Sequence, residues 1–386
     1  MLKDFNYYVP VRVVFGPGKL NEAGEQVKQY GKKALIVTTG LFFKESGLVD
    51  RLQDILKKSG VASEYFPEVS PNPLSTEVDK GAKFAKDTGC DVFVGLGGGS
   101  AMDGAKCIAY AVGHNEPIWP YWIGQKPLGT HTMPIIAITT TSGTASHVSP
   151  WAVITNPETG EKPGNGNDSI FAKVGIVDPE LMLSLPKDVT AATTFDVLAH
   201  ALEGYTSNLA TPITDMFCEH AIRSVGKYGR MLAKDGNNLE ARTGMAYADT
   251  LAGFPLSIAI VTLAHAMAHG VGAIGNTSHG GSLSALTPHT MRFSMNHRPE
   301  KFTHIGLFLR DEPKDKPEWT PEDSVREVEQ FIKDIGAPRT LSENGIKESD
   351  LEAIADHTLK VTVGNAKLDA RMATKEDMLE ILKQSL

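Results

Sequence analysis

The 386 residues are 41% hydrophobic and 22% charged, the balance of a globular chain rather than a disordered one, and the length asks for two domains. With 38 Lys+Arg against 46 Asp+Glu the formal net charge is -8, which repels phosphate backbones and argues against a nucleic-acid partner. The three cysteines, Cys90, Cys107 and Cys218, have no paired spacing, so they fit a reducing compartment and offer no thiolate metal site.

At the N-terminus, Met1-Leu2-Lys3-Asp4-Phe5-Asn6 shows no basic segment followed by an apolar run. No apolar stretch reaches the ~20 residues of a membrane span. The most apolar candidate, 254–268, contains His265 and runs into His269. A cytoplasmic protein without a membrane partner is expected.

The first half alternates compact apolar runs with helical patterns. Ala34 to Thr38, Val92 to Leu96, Pro134 to Ile138 and Val174 to Val177 read as buried strands, and Val49 to Leu56 as a helix between the first two. Such alternation predicts a Rossmann-like α/β domain with a parallel sheet over residues 1–186. From residue 187 onward helical periodicity dominates, which predicts an all-helical second domain over 187–386. Pro212, Pro255, Pro288 and Pro338 are expected near helix ends. The charged, Pro-rich stretch Asp311 to Pro317 reads as an exposed loop.

Two turns carry phosphate-binding character. Leu96 runs into Gly97-Gly98-Gly99-Ser100 and then a helical segment containing Asp103, a strand–glycine–helix junction suited to cradling phosphate. It is neither the G-x-G-x-x-G fingerprint nor a Walker loop. The next strand leads into Thr139-Thr140-Thr141-Ser142-Gly143-Thr144-Ala145-Ser146, either a second wall of the same crevice or a hydroxyl-rich surface loop.

The strongest signal lies in the helical half. Asp196, His200 and Glu203 stand at i, i+4 and i+7; His265 and His269 stand at i, i+4; His279 follows. That spacing puts acid and imidazole on one helical face. Asp196, His200, His265 and His279 offer the oxygen and nitrogen ligands that Fe²⁺ or Zn²⁺ accepts, and burial among Ala, Leu and Met would be costly without a cation. For the full set, metal binding outweighs a purely structural role. His269 is left as a proton-relay or positioning residue near substrate, or as an outer hydrogen-bond partner of the ligands.

These segments together resemble the iron-containing (group III) alcohol dehydrogenases, the relatives of lactaldehyde reductase, 1,3-propanediol dehydrogenase and butanol dehydrogenase. The resemblance runs from Val14-Phe15-Gly16-Pro17-Gly18 through Pro71-Asn72-Pro73, the glycine loop, the 140–146 turn and both histidine segments to Gly336-Ala337-Pro338. It implies a dehydroquinate synthase-like architecture, with the active site in the cleft between a nicotinamide domain and a metal domain. It also implies Asp196, His200, His265 and His279 as metal ligands and His269 near nicotinamide and substrate. Gly97, Gly98, Gly99, Ser100 and Asp103 correspond to the pyrophosphate loop, and Asn72, Thr140, Thr141, Thr144, Ser149 and Lys162 to cofactor contacts.

The expected reaction is hydride transfer between a small alcohol or aldehyde and NAD(P), in a homodimer or larger homo-oligomer. Thr39 and Gly40 stand where NAD-using members place a ribose-binding Asp, which leans the cofactor to NADP(H). Ile258 and Ile260 make the segment before the metal histidine bulkier than the family's usual one. The alternative is a metal-dependent lyase with internally recycled nicotinamide, which would need a basic cluster that 254–277 lacks.

Overall fold

The computed structural model describes residues 4–316 and 318–386. Its contacts divide the chain into two compact units, one of Val9–Thr141 with Ser146–Met182, the other of Met1–Tyr8, Ser142–Ala145 and Leu183–Leu386. The first unit is built on β1 (Arg12–Phe15), β2 (Lys33–Val37), β3 (Ala62–Phe66), β4 (Val92–Gly97), β5 (Ile135–Thr139) and β8 (Val174–Val177). These form one six-stranded sheet in the order β1-β8-β5-β4-β2-β3, parallel at every pairing. The two-residue β6 (Ala152–Val153) and β7 (Gly164–Asn165) make a separate antiparallel pair.

Strands β4, β5 and β8 are buried at every residue, which is why they read as unbroken apolar runs. Alternate residues feed two cores. Leu35, Val37, Phe93, Ile135 and Ala137 pack on one face, and Ala34, Ile36, Val92, Val94, Ile136 and Ile138 on the other. The helices of this unit with eight or more residues are α1 (Leu48–Lys58), α2 (Ser75–Thr88) and α3 (Gly99–His114). The expected strands are therefore present, and β1 and β3 are additional.

The second unit is helical among its described residues: α4 (Lys187–Thr206), α5 (Pro212–Lys234), α6 (Leu239–Gly253), α7 (Leu263–Gly275), α8 (His279–Ser294), α9 (Pro299–Leu309), α10 (Pro321–Ile335) and α11 (Lys375–Gln384), with shorter turns between. Helix α4 is buried on all sides from Thr194 to Thr206, the mark of a central helix. Starts are set by local chemistry: Thr211 with Pro212, Thr320 with Pro321, and Thr374 with Asp377 each cap a helix.

Pro288 departs from expectation. It sits inside α8 rather than at an end, and its missing N–H takes away the donor that would meet the Ser284 carbonyl. Pro212 opens α5, Pro255 lies in the 3₁₀ turn Phe254–Ser257, and Pro338 follows the Gly336 cap of α10, as expected. Residues 311–316 form turn and coil; Pro317 and Met1 to Lys3 lie outside the described residues. No described helix is long and apolar enough to cross a membrane. All three cysteines are free and buried.

Candidate metal centre and dinucleotide loop

Helix α4 brings Asp196, His200 and Glu203 to its buried interior, and α7 and α8 bring His265 and His279 to meet them. The ligand atoms of Asp196, His265 and His279 lie within 4.8 Å of one another. Asp196 Oδ1 is 3.6 Å from His265 Nε2 and 3.9 Å from His279 Nε2. His200 is not one of this close triad, but its ring centroid lies 4.4 Å from that of His265. Its Nδ1 faces the Asp196 carbonyl oxygen at 2.9 Å, so Nδ1 carries the proton and Nε2 keeps its lone pair. The ring of His269, one turn beyond His265, is centred 5.5 Å from that of His279.

The donor set fits a cation. Asp196 Oδ1 and His265 Nε2 are buried and have no hydrogen-bond partner, an arrangement that is costly unless something positive meets them. Burial pushes the Asp196 carboxyl up, but the charges of His200, His279 and His265 outweigh it, leaving the carboxyl below its usual range. His265 is opposed by burial yet held up to about 9 by Glu203 and Asp196, whereas burial prevails at His200 and lowers it. His279 keeps 32% of its side chain exposed, so the cluster opens to solvent on that side.

Glu203 has a role that the i+7 spacing alone did not reveal. Its carboxylate accepts the His265 Nδ1–H at 2.9 Å, the His265 backbone N–H at 3.2 Å, and the backbone N–H of Thr262. It thus caps the start of α7 and leaves His265 Nε2 as the ring nitrogen facing Asp196, where a cation would displace the proton. Thr262 in turn donates from Oγ1 to Asp369 at 2.9 Å, and Asp369 also accepts from Ser294. The loop 142–145 closes over Asp196: a Cβ on Gly143 would stand 3.0 Å from Thr193 Cβ and 3.4 Å from Asp196 Oδ2. Asp249 holds that loop, accepting from the Ala145 N–H at 3.0 Å.

In the α/β unit, the glycine loop ends β4 and begins α3. Gly97 has φ +149, and a Cβ there would stand 2.8 Å from Ala101 Cβ, so glycine is what lets strand and helix turn so tightly. No side chain caps α3 at Gly98, which leaves its first N–H groups available to an anion. Thr140 N–H donates to the Gly97 carbonyl at 3.0 Å, and Thr141 packs beside Gly98. Thr139, Thr140, Ser142 and Ser146 are buried, so this turn is not a surface loop. Lys162 Nζ donates to Asn72 Oδ1 at 2.7 Å, joining two of the expected cofactor residues. Thr39 and Gly40 follow β2, whereas Thr144 belongs to the helical unit.

Asp103 lies beneath the loop. It accepts from Ser146 Oγ at 2.7 Å and from the Val153 N–H at 2.9 Å. One turn on, the fully buried Lys106 donates to Ser146 Oγ at 2.8 Å, to the Ser149 carbonyl at 3.0 Å and to the Trp151 carbonyl at 2.8 Å. Sequence reasoning passed over Lys106; its i+3 spacing from Asp103 was the available signal.

Both parts of the chain match known proteins. The family model for iron-containing alcohol dehydrogenase matches residues 10–179, and that for the C-terminal part of the Fe-containing alcohol dehydrogenase family matches 190–386. The chain is 36% identical to 1,3-propanediol dehydrogenase of Citrobacter freundii over 384 residues, covering 99% of this chain and 98% of that one. It is 32% identical to NAD-dependent methanol dehydrogenase of Bacillus methanolicus over 382 residues, 99% of this chain and 100% of the relative. Among solved structures, an archaeal halo-thermophilic alcohol dehydrogenase from a Red Sea brine pool superposes with TM-score 0.95 at 35% identity, each chain covered in full. The chain belongs to the iron-containing alcohol dehydrogenase family, with its dehydroquinate synthase-like fold, and is an alcohol/aldehyde oxidoreductase that works with a metal and a nicotinamide cofactor.

Proposed function

We propose that Asp196, His200, His265 and His279 hold one divalent cation, Fe²⁺ with Zn²⁺ as the alternative, and that the chain moves hydride between a small alcohol or aldehyde and NAD(P). The observation that carries this reading is the unmet pair of buried atoms, Asp196 Oδ1 and His265 Nε2, within reach of His279 Nε2. The cation, when bound, supplies Lewis acidity toward a substrate oxygen. Nicotinamide supplies the hydride acceptor or donor.

The protein's own part is orientation and proton handling. Glu203 and the Asp196 carbonyl fix the tautomers of His265 and His200, so that in each ring Nε2 is the nitrogen left for the cation. His269, half-buried one turn from His265, is the residue to take or return the substrate hydroxyl proton, or to position the group that does. On this reading residues 1–186 bind dinucleotide and 187–386 bind metal. The N–H groups at the start of α3 meet the pyrophosphate; Gly97, Gly98, Gly99 and Ser100 shape that approach, with Asp103 bracing it from below, and Asn72, Thr140, Thr141, Thr144, Ser149 and Lys162 are further cofactor contacts. A cytoplasmic homodimer or larger homo-oligomer acting on short alcohols or aldehydes completes the proposal. The lyase alternative is not favoured, since the relatives named above are dehydrogenases.

Metal analysis of His265→Ala and His269→Ala, with absorbance at 340 nm for turnover, tests the assignment. The first variant is expected to lose metal and activity, the second to keep most metal and lose activity. Equal metal loss in both would overturn the role given to His269, and full metal retention in His265→Ala would overturn the ligand set.

A further inference from the structure

The chain leaves β2 for β3 at the sheet edge and then returns past β2 to β4, so the crossovers part between β2 and β4. Ligands of open parallel sheets settle beyond the carboxyl ends of strands at such a reversal. The glycine loop follows β4, and Thr38-Thr39-Gly40 follows β2, about 4.8 Å away at the usual strand spacing. A dinucleotide whose phosphates rest on the glycine loop has its adenosine ribose at the ends of β2 and β3. A cavity of about 600 Å³ opens there, lined among others by Thr39, Gly40, Glu68 and Lys80.

Glu68 stands across from Thr39. The Gly40 N–H donates to the Pro67 carbonyl at 3.0 Å, and Thr39 and Glu68 pair as an isolated antiparallel bridge. Bridge partners send their side chains to one face, so the Glu68 carboxylate shares the face of Thr39. The turn is pinned, because the Thr38 hydroxyl at 2.9 Å and the Tyr65 hydroxyl at 3.2 Å both donate to the Gly40 carbonyl. Open space lies where a Cβ on Gly40 would stand. Lys80 of α2 pairs with Glu68 and holds it. The neighbouring Glu77 is already engaged by the backbone N–H groups of Ser70 and Leu74, both at 3.0 Å.

We infer that Glu68 is this chain's ribose carboxylate, accepting the 2′-hydroxyl of the adenosine ribose, and that it selects NAD over NADP. The inference rests on the dinucleotide reading of the glycine loop, and it reverses the lean toward NADP(H) drawn from Thr39 alone. A hydroxyl donating to a carboxylate makes a charge-assisted bond, whereas a 2′-phosphate would face Glu68 with like charge. Lys80 does not rescue the phosphate, because its ammonium is already matched by Glu68.

Fluorescence titration with NADH and NADPH reads binding without turnover, and both side chains are exposed enough (50% for Glu68, 62% for Lys80) to be changed without disturbing the core. The wild-type protein is expected to bind NADH about tenfold or more tighter than NADPH, the scale of one hydrogen bond to a charged group. Glu68→Gln should narrow that ratio by about tenfold, and Lys80→Ala, by leaving the Glu68 charge unmatched, should weaken NADPH more than NADH. Wild-type preference for NADPH, an unchanged ratio in Glu68→Gln, or the reverse order in Lys80→Ala would each overturn the inference. Binding of neither nucleotide by a folded wild-type protein would overturn the dinucleotide reading itself, and Glu68's part with it.

Discussion

Glu203 and His265 are joined twice: the carboxylate accepts the ring Nδ1–H at 2.9 Å and the backbone N–H at 3.2 Å, so a single side chain fixes both the imidazole and the helix that bears it. Glu203→Ala strands the ring and two backbone donors in a buried place. Metal affinity should fall by about 10- to 100-fold, and stability by roughly 2–3 kcal/mol. Glu203→Gln should lose affinity with a smaller loss of stability. Chelator competition and thermal unfolding measure the two effects separately; unaltered metal affinity in a folded Gln variant would refute the orienting role.

Gly280 follows His279 at the start of α8, where a Cβ would overlap the Ala192 carbonyl of α4. Backbone cannot yield as a side-chain tip can. Gly280→Ala should push α8 off α4, destabilise the fold by about 1–3 kcal/mol, and carry His279 away from Asp196. Metal content should drop along with the melting temperature, whereas a variant with wild-type values of both would show that the helices adjust freely.

Burial lowers the Lys162 pKa to about 8, with the charge of Asp103 resisting. An anionic dinucleotide needs the protonated ammonium. If Lys162 meets the cofactor, NADH affinity should hold steady below pH 8 and weaken above it, by up to about tenfold per pH unit. Lys162→Met should bind weakly, with a flat profile. Titrations from pH 6.5 to 9.5 decide the matter, and a wild-type profile as flat as the variant's would take Lys162 out of cofactor binding.

The Asp249 carboxyl is pushed up to about 8, first by burial and then by the charge of Asp196, against the N–H groups of Gly143 and Ala145. Its folded pKa lies above the unfolded value of about 3.9, so its favourable contribution is whole below that value and is lost as pH climbs toward 8. Asp249→Asn stays neutral and keeps an acceptor oxygen. Its melting temperature should therefore exceed the wild type's by a larger margin at pH 8 than at pH 5, with the margin shrinking once a cation neutralises Asp196. A margin independent of pH would mean that Asp249 does not titrate there.

The legible parts of the fold were those whose environment is uniform. Strands β4, β5 and β8 are covered on both faces and so announce themselves as apolar runs. The edge strand β3, Ala-Ser-Glu-Tyr-Phe, is half-covered and mixed in composition, and escaped notice. Asp196 with His200, and His265 with His269, were readable because one helical turn sets their spacing. What Glu203 does was not, because Thr262 and His265 lie 59 and 62 residues away and only packing brings them together. Glu68 was invisible for a related reason: its place opposite Thr39 depends on one isolated backbone pairing.

The buried thiols have a practical corollary. Burial raises the pKa of Cys90, Cys107 and Cys218, so little of any of them is thiolate at neutral pH, and peroxide or alkylating reagents find slow targets. In a preparation loaded with ferrous ion, activity lost on an open bench is therefore expected to trace to the metal rather than to sulfur. Dithiothreitol would be the wrong remedy, and reloading under argon the right one.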